Sequence, residues 1–198
     1  MATVAVERGL RADAQRNQDR ILAAAREAFA SDGYEVPIEE IARRAGVGPA
    51  TVYRRFPTKE RLMHAIFDTG LSELEQSIVA AAEIPDPWDA LLAGMRAVIE
   101  IQSANMAFLQ VLDQAGVMPN VKAELHERVF DRLEALFASA QAAGRLRTDI
   151  RPSELPLLLK MVTATARQES LCAEPAAPER YLTLLTDALR TPTPTPLP

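Results

Sequence analysis

The sequence predicts an all-α fold, a small N-terminal bundle followed by a larger C-terminal one, and three observations carry that reading. Apolar residues recur at helical spacing along nearly every segment, and no convincing alternating run marks a strand. Prolines, glycines, Asp and Thr stand where helices would begin and end. The chain is 48% hydrophobic with 14 prolines but only 8 glycines, and many of its residues are Ala, Leu, Glu and Arg, all good helix formers.

The first helix is QDRILAAAREAFAS, where Ile21, Leu22, Ala25, Ala28 and Phe29 share one face and Gly33 supplies the stop. In VPIEEIARRAG, Pro37 suits the first helical position, and Glu39 and Glu40 favour the positive end of the dipole. Ile38, Ile41, Ala42 and Ala45 form its inner stripe, and Gly46 ends it. The third helix, GPATVYRRF, is short, with Gly48 as N-cap and Pro49 as first residue. Pro57 stops it, and Thr58 caps a fourth helix running from about Lys59 towards Ala82, with Gly70 as a bend. Asp86 caps the fifth, Pro87 opens it, and Leu91, Leu92, Met95, Val98 and Ile99 point inward. MAFLQVLDQ makes a short sixth helix. A seventh, from about Pro119 to Ala143, turns Leu125, Val129, Leu133, Leu136 and Phe137 inward and closes at Gly144. Pro152 opens PSELPLLLKMVTATARQ, the loop AEPAAP follows, and ERYLTLLTDALR is the last helix. The tail TPTPTPLP, over 191–198, is expected to be disordered and extended.

Composition leaves little room for other chemistries. Cys172 is the single cysteine and cannot form an internal disulfide, which suits the cytoplasm. His64 and His126 lie far apart, without the short-spaced partners of a zinc site, so no metal is expected. There is no glycine-rich phosphate loop and no GxSxG elbow. Neither a cofactor nor a catalytic role is expected. No run is apolar enough to cross a bilayer, and MATVAVERGLRADAQR lacks the core of a signal peptide. The formal charge of -5 is unevenly placed: net +2 up to Phe67 and net -7 beyond. A nucleic-acid surface therefore belongs at the front.

The stretch from Ile38 to Pro57, IEEIARRAGVGPATVYRRFP, has the layout of a helix-turn-helix. Ala42 is small where two helices must approach closely, Gly46 suits a left-handed turn, and Val47 and Val52 point inward with Ile41. The second helix would present its outer face to the major groove of double-stranded DNA. There Tyr53 can donate its hydroxyl, while Arg54 and Arg55 can bind phosphate or guanine. An Arg pair alone reads as a solvated helix face. The twenty-residue pattern outweighs that.

ILAAAREAF with Gly33 and Tyr34, then IEEIARRAGV, then ATVYRRFPTKERL, resemble the tetracycline-repressor (TetR) family of bacterial transcription regulators over about the first third of the chain. The resemblance implies a three-helix DNA-binding domain over 1–64, with its motif at about 38–57. A long fourth helix would join it to a helical effector-binding and dimerisation domain over 65–190. The implied protein is a homodimeric, cytoplasmic repressor that leaves its operator when a small molecule binds. By the same resemblance Thr51, Tyr53 and Lys59 occupy positions that commonly touch phosphates, and Pro49, Ala50 and Arg54 sit where base edges are often read. Arg55 replaces a frequent His or Tyr and should strengthen the phosphate grip. Gly48 replaces a frequent Ser, removing a capping hydroxyl and its contact, and Pro37 replaces a Thr or Ser.

AAGRLRTDIRPSELPLLL resembles a segment from one group of that family in which the last two long helices build the dimer. Leu155, Leu158, Leu159 and Val162 line one such helix and Tyr181, Leu182, Leu185 and Leu189 the other, although either stripe could face the protomer's own core. An effector pocket is expected among Met95, Ile99, Gln102, Met106, Phe108, Gln110 and Gln114, and their few fixed charges suit a mostly apolar molecule. The competing reading is an all-α enzyme or ligand carrier with a vestigial helix-turn-helix domain. An activator is a third alternative within the same fold.

Overall fold

The computed structural model describes residues 2–116, 123–165 and 178–190, with residues 2–12, 106 and 165 given by their backbone alone, and among the described residues the apolar stripes read from the sequence lie on helices. Among the described residues the α-helices are α1 (Ala2–Asp32), α2 (Ile38–Ala45), α3 (Pro49–Arg55), α4 (Lys59–Ala82), α5 (Pro87–Ala104), α6 (Met106–Gln114), α7 (Asp131–Ala142), α8 (Leu155–Thr165) and α9 (Pro178–Arg190). A π-helical stretch, His126–Phe130, leads directly into α7, and a 3-10 turn, Pro152–Glu154, leads into α8. The expected helix start at Pro119, the stretch 166–168, Cys172, most of the AEPAAP loop and the 191–198 tail lie outside the described residues. No described helix is long and apolar enough to cross a membrane.

The chain divides into two compact units, one of Met1–Gly70 with Asn105–Pro119 and one of Leu71–Ala104 with Asn120–Pro198. In the first, α1 packs on α2 and α6, and α2 packs on α3. Its core is the expected stripe of Ile21, Leu22, Ala25, Ala28 and Phe29, joined by Ile41, Ala42, Val52, Leu62, Met63 and Ile66, all buried. The Phe29 and Phe108 rings meet at 6.2 Å, tying α6 to α1. The first helix begins well before Gln18, where the sequence reading started it. That extension has no apolar stripe, so periodicity misses it. Its described part is laced instead by near-neighbour pairs such as Gln15–Asp19 at 2.8 Å.

Two smaller corrections concern helix ends and bends. Pro37 is the N-cap of α2, not its first residue, because its ψ of 147° is extended; its ring fixes only φ, which suits either position. α4 runs unbroken through Gly70.

In the second unit α5 packs on α7, α8 and α9, and α8 packs on α9. Met95, Val98, Leu133 and Phe137 are buried here, whereas Leu92, expected inward, is only half-buried. Trp88 is buried at the start of α5, under the Arg190 guanidinium 5.0 Å from its ring centre. The two helices α5 and α7 touch at Gly94, where a Cβ would lie 2.8 Å from Leu133 Cδ1 and 3.1 Å from Leu136 Cδ1. Asp86 caps α5 as expected, its Oδ1 accepting from the Trp88 and Asp89 N–H groups at 2.8 and 3.1 Å. Those bonds are the chief reason its carboxyl titrates below the usual range. The Gln141 amide donates to the carbonyls of Arg147 at 2.9 Å and Ile150 at 3.0 Å, satisfying the loop that precedes α8.

Candidate nucleic-acid interface

The α2–α3 turn is built by Gly46, whose φ of 65° and ψ of 35° are left-handed, and by the Val47 N–H, which bonds the Ala42 carbonyl at 3.0 Å. A Cβ at Gly46 would be strained there. Ala42 and Val52 are completely buried at the helix crossing, and Val47 is half-buried. Gly48 is extended and caps α3 with its backbone alone, its carbonyl accepting from Thr51 N–H at 2.9 Å. Burying Val52 turns Tyr53, Arg54 and Arg55 outward, together with Gly48, Pro49 and Ala50, while Thr51 is half-buried. Seven of the eight expected DNA-contact residues thus lie on α3 and its cap; Lys59 opens α4.

The cations of this unit differ sharply in their partners. Arg43 clasps Glu40 with two hydrogen bonds of 2.7 Å, and Arg44 Nε adds a third to the same carboxylate at 2.7 Å while its Nη2 reaches Asp32. These guanidinium bonds pull the Glu40 carboxyl down to about 2. Arg55 instead donates to the neutral Gln18 Oε1 on α1. Arg54 makes no hydrogen bond or ion pair with the described residues. Lys59 Nζ donates to the Tyr34 carbonyl at 2.5 Å and lies 4.8 Å from that ring's centre, so its immediate partners leave the charge in place. The Tyr34 hydroxyl donates to Glu60 at 2.8 Å, and that bond is the main reason its pKa is raised. Tyr53 is 46% exposed and its hydroxyl donates to Glu39 Oε1 at 3.3 Å. Desolvation first, then the Glu39 charge, raises its pKa.

The other candidate residues fall differently. Met95 and Ile99 are buried in the second unit, and Gln102 Oε1 accepts from the Thr163 hydroxyl at 3.2 Å. Phe108 packs on Phe29 in the first unit, Gln110 and Gln114 on α6 are exposed, and the Met106 side chain is outside the described set. Of the dimer candidates, Leu155, Leu159, Val162, Leu182 and Leu189 are buried within the protomer, while Leu158, Tyr181 and Leu185 are half-exposed. The sequence reading missed Leu157, Met161 and Leu184, which are 63%, 60% and 59% exposed. A cavity of about 170 Å³ lies among Leu158, Met161, Val162, Tyr181 and Leu185. It also missed Thr163, whose periodicity is that of an ordinary core position, and Gln18, whose pairing with Arg55 spans 37 residues.

Residues 21–66 match the family model for bacterial regulatory proteins of the tetR family, and residues 86–191 match that for the C-terminal domain of SbtR-like transcriptional regulators. A TetR transcription regulatory protein from Mycobacterium vanbaalenii is 32% identical, with 92% of this chain and 99% of that one covered at a TM-score of 0.66. The TetR transcriptional regulator SCO0520 from Streptomyces coelicolor is 35% identical, with 87% and 98% covered and the same TM-score of 0.66. The HTH-type transcriptional regulator SrpR of Pseudomonas putida is 26% identical over 140 residues, 68% of this chain and 66% of that protein. Matched in both its front and its C-terminal part, and carrying an exposed aromatic and basic helix on a glycine-turned crossing, the chain belongs to the tetR family of bacterial regulatory proteins and is a DNA-binding transcriptional regulator.

Proposed function

We propose that the protein is a homodimeric repressor that grips operator DNA with the outer face of α3 and releases it when a small, mostly apolar molecule binds its second unit. Arg54 carries the first half of this reading: it is exposed on α3 with its guanidinium engaged by no described residue. An unengaged fork of that kind suits the O6 and N7 edge of guanine. Pro49 and Ala50 lie one turn earlier and can approach bases without charge. Thr51, Tyr53, Arg55, Lys59 and the Gly48 backbone take the sugar–phosphate backbone, where contacts fix register but carry little sequence information.

Dimerisation is supported by the apolar surface of α8 and α9, where Leu157, Met161 and Leu184 leave most of their area in water. A second copy related by a two-fold axis would cover this face and bring two recognition helices to successive major grooves. For the effector, Met95, Ile99 and Gln102 share one face of α5, and the Gln102–Thr163 pair gives it a polar point. The Ser103 hydroxyl, next in sequence, is buried without a hydrogen-bond partner among the described residues, and would offer a second polar group if the helices part around a ligand. The competing enzyme or carrier reading finds no support among the relatives, which are transcriptional regulators.

The test selects bound fragments from a random DNA pool and measures wild type and Arg54→Ala on single-base variants of the selected operator. Arg54→Ala should lose about 1–3 kcal/mol at one base position and lose preference there. Unchanged preference at every position would remove Arg54 as the base reader.

A further inference from the structure

Two pairs on α1 share one spacing and differ in one respect. Arg16 Nη2 bonds the Asp13 carboxylate three residues back, and Arg20 Nη2 bonds the side-chain carbonyl of Asn17 three residues back. Among the described residues the first cation has a carboxylate partner and the second has none. Arg20 is exposed, and its other terminal nitrogen, Nη1, lies 3.9 Å from the point a Cβ on Gly46 would occupy. α1 therefore delivers to the helix-turn-helix turn itself a guanidinium that no described carboxylate engages. Two residues before it, Gln18 holds Arg55 of α3. By contrast, Arg43 and Arg44 on α2 are engaged by Glu40 and Asp32.

We infer that Arg20 is a further DNA-contact residue, one that binds a backbone phosphate beside the turn. Gly46 and Gly48 are both exposed and have no side chain, so a phosphodiester can come close to the turn backbone. The guanidinium sits at that turn and not on the outer face of α3, which favours phosphate over a base edge. One side of the fork is fixed by Asn17, leaving Nη1 oriented and available to donate. The inference rests on α3 being the DNA-facing helix.

The experiment measures operator affinity against salt concentration for wild type, Arg20→Gln, Arg20→Lys and Arg16→Gln, with Arg54→Ala alongside. Arg20→Gln should weaken binding by the same factor on every single-base operator variant. It should also lower the log–log salt slope by about 0.9 per half-site. Arg20→Lys keeps the charge and should keep the slope. Arg16→Gln should leave the slope unchanged, because that cation is already neutralised by Asp13. A wild-type slope for Arg20→Gln, or weaker binding without a change in slope, overturns the inference. If Arg54→Ala also binds as wild type, it is the DNA-facing reading of α3 that has failed; if Arg54→Ala is impaired and Arg20→Gln is not, only Arg20 is excluded.

Discussion

The α2–α3 pair and the α8–α9 pair are both short helices with an exposed face, and they were unequally readable. In the first, Ala42, Gly46 and Val52 sit where the backbone crossing, the left-handed turn and the buried contact each demand a particular residue type. The exposed face then follows as the remainder: Tyr53, Arg54 and Arg55. In the second, α8 reads LPLLLKMVTAT and is apolar on more than one side. Periodicity finds a stripe in such a helix but does not say which stripe meets the core. The expected interface residues Leu155, Leu159 and Val162 are buried in the protomer, while Leu157 and Met161, one or two positions away, are exposed. A helix with one apolar face declares its orientation; a helix with two does not.

The largest effect is expected where that ambiguity matters most. Leu184→Glu places a charge on the exposed apolar face of α9, where a second copy seated on that face would have to bury it. The variant should keep its helical content, melt somewhat lower because it loses the stabilisation of association, and sediment as a monomer. Losing the second recognition helix should then lower operator affinity by about 100-fold or more. Leu182→Glu, two residues away and 1% exposed, should instead fail to fold, because an unpaired carboxylate would be buried. A Leu184→Glu chain that remains dimeric at the same concentration would show that this face is not the dimer contact.

What sequence made legible elsewhere follows the same rule. Helix caps at Thr58 and Asp86 were readable because a short oxygen-bearing side chain satisfies a local backbone need; Thr58 Oγ1 does accept the Arg61 N–H, at 3.2 Å. The π-helical stretch before α7 was not, since it barely changes the spacing of apolar residues, nor was the extension of α1, which has no apolar stripe to space. Partners brought together by tertiary packing were also hidden. Gln102 meets Thr163 across 61 residues, and no local pattern reports that.

Glycines give a second, smaller contrast. Gly70 drew notice in the sequence as a bend and Gly94 drew none, yet the structure reverses their importance. At Gly70 an added Cβ would be 3.8 Å from Arg26 Nη2, an ordinary contact, and the helix continues through it. Gly70→Ala should therefore raise stability by about 0.5–1 kcal/mol, the usual helix-interior difference. At Gly94 the same methyl would strike Leu133 Cδ1 at 2.8 Å. Gly94→Ala should lose about 1–2 kcal/mol as α5 and α7 separate, after the helix-propensity gain is deducted. Denaturant melts of both variants check the pair. A destabilised Gly70→Ala beside a tolerated Gly94→Ala would invert the assignment.

The smallest effect concerns Glu40, which holds Arg43 and Arg44 on α2. Its folded pKa of about 2 lies below the ordinary 4.5 of a glutamate. A depressed carboxylate adds stability that is fully present above the unfolded pKa and is lost as pH falls towards the folded one. Wild type should therefore melt slightly above Glu40→Gln near pH 7, and the gap should close between about pH 4.5 and pH 2. The cluster is at the surface, so the gap should be small and should shrink further in high salt. The same substitution should act in the opposite direction on DNA. With Glu40 neutral, Arg43 loses its carboxylate partner and Arg44 keeps Asp32 as its one described carboxylate, so the salt slope for binding should become steeper. A melting gap that stays constant from pH 7 to pH 2.5 would show that Glu40 contributes through packing and not through its charge. An unchanged salt slope would show that Arg43 and Arg44 lie outside the electrostatic footprint, which would confine the DNA-facing charge to α1, α3 and the start of α4.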